Sequence, residues 1–208
     1  MIDDLKNLLF KVRELYIKYG IKSITMDDVA GELGISKKTL YQYVTDKDDL
    51  VGKFIEYEIE IRQEEICKCF RIGFNAIEEL FEISLFMNKM MRDQNPATEH
   101  DLKKYYPNHY QKIVKTRRER MYNYILLNLK KGKEEGLYRK DMNEEIIAKF
   151  YLSRVESIHL NDLFTVEEFT SLKLFIELLT YHVRGIATEK GITVLEKKVS
   201  ELETKNIK

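Results

Sequence analysis

With 208 residues, 44% hydrophobic and 34% charged, the chain has enough apolar material for one ordinary core or two small ones, which excludes disorder throughout. Two prolines and nine glycines leave few breaks, and no apolar run approaches the ~18 residues of a membrane-spanning helix, so long helices in water are expected and a membrane partner is not. Thirty-five basic side chains balance thirty-five acidic ones, so net charge neither demands a polyanion nor excludes one.

The opening Met1-Ile2-Asp3-Asp4 is acidic where a secretory signal is basic, and a cytoplasmic protein is expected. Leu5, Leu8, Leu9, Val12, Tyr16 and Tyr19 recur at helical spacing, and Gly20 offers a left-handed cap. A short helix follows, capped by Thr25 with Asp28 reaching back, and with Met26, Val29, Ala30 and Leu33 inward. Gly34 allows the positive φ of a tight turn, and Ser36 caps a third helix that buries Leu40 and Val44. Residues 25 to 45 therefore read helix, three-residue turn, helix.

Asp46 caps a long helix starting near Lys47, with the stripe Leu50, Val51, Phe54, Tyr57 and Ile61 running towards Phe70. Cys67 and Cys69, two apart, supply neither a disulfide framework nor a metal site. After Gly73, Ile77, Leu80, Phe81, Ser84, Met87 and Met91 form another helix, ended by Asn95-Pro96, with residues 92 to 99 expected as a loop. Tyr105, Tyr106, Pro107 and Tyr110 lie in a broken stretch, and Ile113 to Glu135 runs on as a helix to Gly136. Asn143 caps the next helix, which carries Ile146, Ile147, Phe150, Val155 and Ile158. Thr165 and Glu168 form a capping box that opens a helix to about Thr188, carrying Phe169, Leu172, Phe175, Ile176, Leu179, Val183 and Ile186, before a polar tail from Leu195. With no strand pair in view, the fold class is all-α.

The chemistry of the third helix points to DNA. Burying Leu40 and Val44 turns Lys38, Thr39, Tyr41, Gln42 and Thr45 to other faces, with Lys37 at its start and Lys47 beyond it. Ammonium groups meet phosphates, hydroxyls meet phosphates or base edges, glutamine suits adenine, and a tyrosine ring suits a thymine methyl. Residues 1 to 50 hold eight basic and nine acidic side chains, so the signal is confined to 37–45, with two lysines and no acid.

The stretch Thr25, Val29-Ala30, Leu33-Gly34-Ile35-Ser36, Thr39-Leu40-Tyr41 and Lys47-Asp48-Asp49-Leu50 resembles the amino-terminal domain of the tetracycline-repressor (TetR) family of bacterial transcription regulators. Tyr43 stands where that family often has histidine or tyrosine, while Val44 replaces a usual phenylalanine and Tyr16 another. Lys131-Gly132-Lys133-Glu134-Glu135-Gly136-Leu137-Tyr138 resembles a helix ending common in the family's second domain. The resemblance implies a helix-turn-helix domain over 1–46 and a larger helical ligand-binding and dimerisation domain over 47–208. It implies DNA contacts from Thr25, Ser36, Lys37, Lys38, Thr39, Tyr41, Gln42, Tyr43 and Lys47, a double-stranded operator, and a homodimer. A small-molecule effector is implied as well.

Candidate effector-lining residues are Phe74, Phe81, Met87, Met90, Tyr106, Tyr110, Tyr124, Phe150 and His159. Val155, Ile158, Leu172, Phe175, Leu179 and Val183 are candidates for the dimer face, because their two helices carry more apolar surface than one packing partner covers. The basic run Lys112, Lys115, Arg117, Arg118 and Arg120 reads as a solvated helical face. His100, His109, His159 and His182 are scattered, and HExxH, GxSxG, Walker and Rossmann patterns are absent, so an enzyme, a cofactor or a metal centre is not expected. The competing reading is a DNA-bound adaptor with a filled second domain that recruits another protein.

Overall fold

The computed structural model describes residues 2–70, 73–92, 95–157, 164–165, 167–168 and 171–206. The chain is all-α, with an amino-terminal helix-turn-helix and a helical carboxyl-terminal part, and it packs as two compact units. The first comprises Met1–Glu65 with Asp93–Arg117, and the second Ile66–Arg92 with Arg118–Lys208.

In the first unit, α1 (Ile2–Tyr19) stops at Gly20, whose φ of +79° only glycine adopts freely. The capping box of α2 (Met26–Leu33) forms as the spacing predicts, with Asp28 N–H donating to Thr25 Oγ1 at 3.2 Å and Thr25 N–H to Asp28 Oδ2 at 2.7 Å. Those donated bonds hold the Asp28 carboxyl below the usual carboxylate range. Gly34, at φ +65°, closes the turn, and Ser36 Oγ accepts from Thr39 N–H at 3.0 Å to start α3 (Lys37–Leu40). Regular α3 is a single turn, shorter than expected; the chain coils on through Tyr41, Gln42 and Tyr43 and buries Val44. Asp46 Oδ1 accepts from Asp49 N–H at 2.9 Å and caps α4 (Lys47–Cys67).

Leu50, Val51, Phe54 and Ile55 of α4 pack into the same core as Val12, Tyr16, Ile21, Val29 and Leu40, with Phe54 edge-on to Tyr16 at 5.1 Å. The packing therefore divides after residue 65, not after residue 46 as the sequence reading had it. The loop expected over 92–99 is also corrected. Asn95 accepts from Ala97 N–H at 2.8 Å, and Pro96, needing no amide donor, is the first residue of α5′s successor in the first unit, a helix spanning Pro96–Tyr105.

Numbered in chain order, α5 is Ala76–Arg92, α6 is Pro96–Tyr105 and α7 is Pro107–Glu134. Helix α6 caps the end of α1, where carbonyls have no helical donor. Asn95 Nδ2 donates to Ile17 O and Thr98 Oγ1 to Tyr16 O, both at 2.7 Å, and buried Asp101 accepts from Lys22 N–H at 2.7 Å.

The second unit contains α5, residues 118–134 of α7, α8 (Glu144–Ser157), α9 (Leu172–Ile186) and α10 (Glu189–Asn206). Gly132 and Gly136 shape the end of α7. At +70° the φ of Gly136 reverses the chain, which lays the Tyr138 ring against Gly132 and sends its hydroxyl to Asn128 Oδ1 at 3.2 Å. Asn143 Oδ1 caps α8 through Ile146 N–H at 3.0 Å. Thr165 and Glu168 do exchange capping bonds, at 2.9 and 3.2 Å, but Ser171 provides a separate cap and the long helix starts at Leu172. The tail expected to be polar is α10, anchored by fully buried Leu195. Ile158, His159 and Phe169 lie outside the described residues.

Candidate functional site

The first candidate surface is built on α3. Buried Leu40 and Val44 fix its orientation, leaving Ser36, Lys37, Lys38, Tyr41 and Gln42 exposed, with Thr39 and Tyr43 half-buried. Ser36 Oγ and Thr39 Oγ1 lie 2.9 Å apart and both stay at the surface. Lys37 is paired with Asp27 at 2.8 Å, whereas Lys38 has no ion pair among the described residues. Lys53 steadies the segment, donating to Tyr43 O at 2.6 Å and to Asp49 at 2.9 Å. Thr25 is exposed at the start of α2, and half-buried Lys47 reaches Lys22 O at 3.4 Å. Burial lowers the pKa of Lys47 below the ordinary lysine value, and the neighbouring Lys22 charge adds to the effect. The nine residues expected at DNA thus come from one turn, one short helix and two helix starts of a single unit, with hydroxyls, an amide and ammoniums outward.

The second candidate site is a cavity of about 110 Å³ inside the second unit. Leu80, Ile83, Ser84, Met87 and Asn88 of α5 form one wall, and Met121, Tyr124, Ile125 and Asn128 of α7 another. Tyr151, Arg154 and Val155 of α8 and Phe175, Leu178 and Leu179 of α9 complete it. At the ~10–15 Å³ that one water needs on this measure, it has room for a small organic molecule.

Of the residues expected to line an effector site, Met87 and Tyr124 do so. Phe81 is fully buried in the surrounding core, Phe74 and Met90 lie off the lining, and Tyr106 and Tyr110 belong to the first unit. Phe150 faces outward at 68% exposure, because α8 buries Ala148, Tyr151 and Leu152 instead. Sequence reasoning passed over Arg154, Tyr151, Asn88 and Asn128 by searching for apolar side chains alone. The signal was a polar residue on an otherwise apolar helical face, as with Ser84 and Asn88 four apart on α5.

The apolar stripe expected at a dimer face is turned inward. Phe175, Leu179 and Val183 are buried in the chain's own second core, with Val155 and Leu172 half-buried against it. Exposed apolar surface on these helices comes instead from Ile146 and Phe150 of α8, at 52% and 68%, and from Tyr181 of α9, at 76%. The basic run on α7 is solvated and partly paired, Lys112 with Glu56 at 2.7 Å and Arg118 with Glu156 at 2.8 Å. Among the described residues no helix is long and apolar enough to cross a membrane, and no cluster of His, Cys, Asp and Glu could hold a metal ion.

Comparison with known proteins bears on the α2–α3 unit first. Residues 11–53 match the family model described as bacterial regulatory proteins, tetR family. Over 169 residues the chain is 24% identical to the uncharacterized HTH-type transcriptional regulator YvaF of Bacillus subtilis (strain 168), covering 81% of this chain and 88% of that protein. A transcriptional regulator from Cytophaga hutchinsonii ATCC 33406 shares the fold with a TM-score of 0.75 at 18% identity, covering 89% of this chain and 99% of that one. So does CprB from Streptomyces coelicolor, a TetR family protein solved in complex with its biological operator sequence, with a TM-score of 0.63 at 14% identity over 99% and 100% of the two chains. A capped α2, a glycine turn, an outward α3 and the match across them identify the chain as a transcriptional regulator of the tetR family of bacterial regulatory proteins.

Proposed function

We propose that the chain represses transcription as a homodimer on a pseudo-palindromic operator, and leaves it when a small molecule enters the cavity of the second unit. The observation that carries the DNA half is the outward face of α3, which presents Lys38, Gln42 and Tyr41 with no acidic side chain among residues 37–45. A helix about 10 Å across fits a major groove ~12 Å wide. One such helix buries too little surface to single out an operator among ~10⁶ competing sites, so two copies are needed. CprB, bound to its operator, supports this use of the shared fold. Ile146 and Phe150, four apart on α8, with Tyr181 on α9, supply the apolar surface through which the copies pair.

The cavity favours effector release over recruitment of another protein, since an adaptor needs no open space between α5, α7, α8 and α9. A ligand moves the DNA-binding equilibrium only by its preference for one arrangement of the chain over another. Selection of bound sequences from random DNA, followed by gel shifts with a panel of small molecules, tests the whole reading. Recovery of an inverted repeat and its release by a cavity ligand are expected. Recovery of no preferred sequence would refute the operator, and a complex insensitive to every compound that occupies the cavity would refute the release.

A further inference from the structure

We infer that the cavity takes a small apolar molecule ending in a carboxylate, which Arg154 grips at that end. The inference rests on the effector reading above and specifies its ligand. Nine of the fifteen lining residues are aliphatic, methionine or phenylalanine, so most of any occupant meets hydrocarbon and thioether. Met87 and Met121 let that wall adapt to a flexible chain.

The polar lining groups divide into two kinds. Asn128 is committed, donating to Ala76 O at 2.7 Å and accepting from the Tyr138 hydroxyl at 3.2 Å. Ser84 and Tyr151 bond to each other at 3.1 Å. These groups are satisfied within the chain and ask nothing of a ligand. Arg154 differs, being the one charged side chain among the described lining residues, and no carboxylate lines the cavity there. Its guanidinium sits 5.4 Å from the Tyr151 ring, and that ring is held from another side by His182 at 4.4 Å. The cation is thus supported by stacking, which leaves its planar fork of donors in the plane. Glu156, two residues on, is engaged by Arg118 at 2.8 Å. Burial, with Arg154 adding its charge, pulls the His182 pKa down to about 3, so the imidazole is neutral and contributes no second cation.

A single planar guanidinium at an apolar cavity matches a planar monoanion, two parallel N–H···O bonds to a carboxylate being its strongest pairing. A phosphate dianion would leave one charge unmet in the same surroundings. With ~10–15 Å³ per water-sized volume, the cavity accommodates on the order of ten non-hydrogen atoms, the size of octanoate.

Calorimetric titration of the full chain with octanoate and with 1-octanol tests the assignment, using the wild type, Arg154→Gln and Arg154→Lys. Thermal melting confirms that each variant folds. The expected result is a preference for octanoate of about tenfold or more in the wild type, the scale of one charge-assisted bond. That preference disappears in Arg154→Gln with 1-octanol affinity unchanged, and is partly restored in Arg154→Lys. Equal affinity of the wild type for both compounds would overturn the carboxylate while leaving the effector cavity standing. So would octanoate binding that survives Arg154→Gln. If neither compound binds, the assignment also falls, whereas the effector reading falls separately, by the operator-release screen.

Discussion

Lys38 offers the sharpest test of how the chain meets DNA. Its side chain is exposed on α3 and has no ion pair among the described residues, so Lys38→Ala removes a charge without removing a structural contact. Each phosphate neutralised contributes ~0.9 to the slope of log affinity against log salt. A dimer loses two such contacts, which flattens the slope by about 1.8. Between about 50 and about 200 mM salt, wild-type affinity should therefore fall about 12-fold more than that of the variant. Lys37 is the built-in control. Its ammonium already lies 2.8 Å from Asp27, so a phosphate must first displace that carboxylate and Lys37→Ala should flatten the slope less. Asp27→Asn should act in the opposite direction and tighten binding. Fluorescence anisotropy on one selected operator over a salt series reads all three variants, with circular dichroism confirming the fold. A salt slope unchanged by Lys38→Ala would refute the docking of α3, whatever the affinity at one salt concentration.

Elsewhere, Gly132→Ala should lower stability by about 1–3 kcal/mol in urea unfolding, because the new methyl would sit inside the ring of buried Tyr138, and overpacking outweighs alanine's helix preference; unaltered stability would show that the ring yields freely. Phe150→Glu should convert dimers to folded monomers in sedimentation, whereas Phe175→Glu should unfold the second unit; the reverse pattern would restore the inward stripe as the dimer face. Below about pH 6.5 the unfolded chain binds a proton at His182 that the folded chain refuses until about pH 3, so stability should fall with acid across that window. His182→Phe keeps the stacking on Tyr151 and should flatten the acid limb of urea midpoints; a profile identical to wild type would place the imidazole in water instead.

The amino-terminal unit was legible because its signals are local. Thr25 and Asp28, Gly34, and Ser36 with Thr39 act through the backbone within four residues, and each forms the bond that its spacing predicts. The start of α6 was misread for a reason equally local. Asn95-Pro96 disfavours helix before it and favours helix after it, and only the bonds from Asn95 and Thr98 to the end of α1 decide that a helix follows. Those partners lie 78 and 82 residues away in the chain, beyond the reach of any pattern.

The second unit was less legible because helical periodicity tells which residues share a face, not what covers it. On α9, Phe175, Leu179 and Val183 have the spacing of an intersubunit seam, and the same spacing serves a core helix. Their burial against α5, α7 and α10 settles the matter for this chain, and α10 itself was missed because glutamates and lysines surround its few anchors, Leu195, Val199 and Leu202. The cavity escaped for a related reason. Seeking aromatics selected Phe81 and Phe150, of which one fills the core and the other faces out, while the groups that set the chemistry of the space are Arg154 and the Tyr151 ring beneath it. A cation three residues after a buried tyrosine on one helix lies on the same face as that tyrosine, so an arginine there must find either a carboxylate or an anion from outside. That pairing, more than the count of apolar residues, is what makes a ligand site readable in a helical chain.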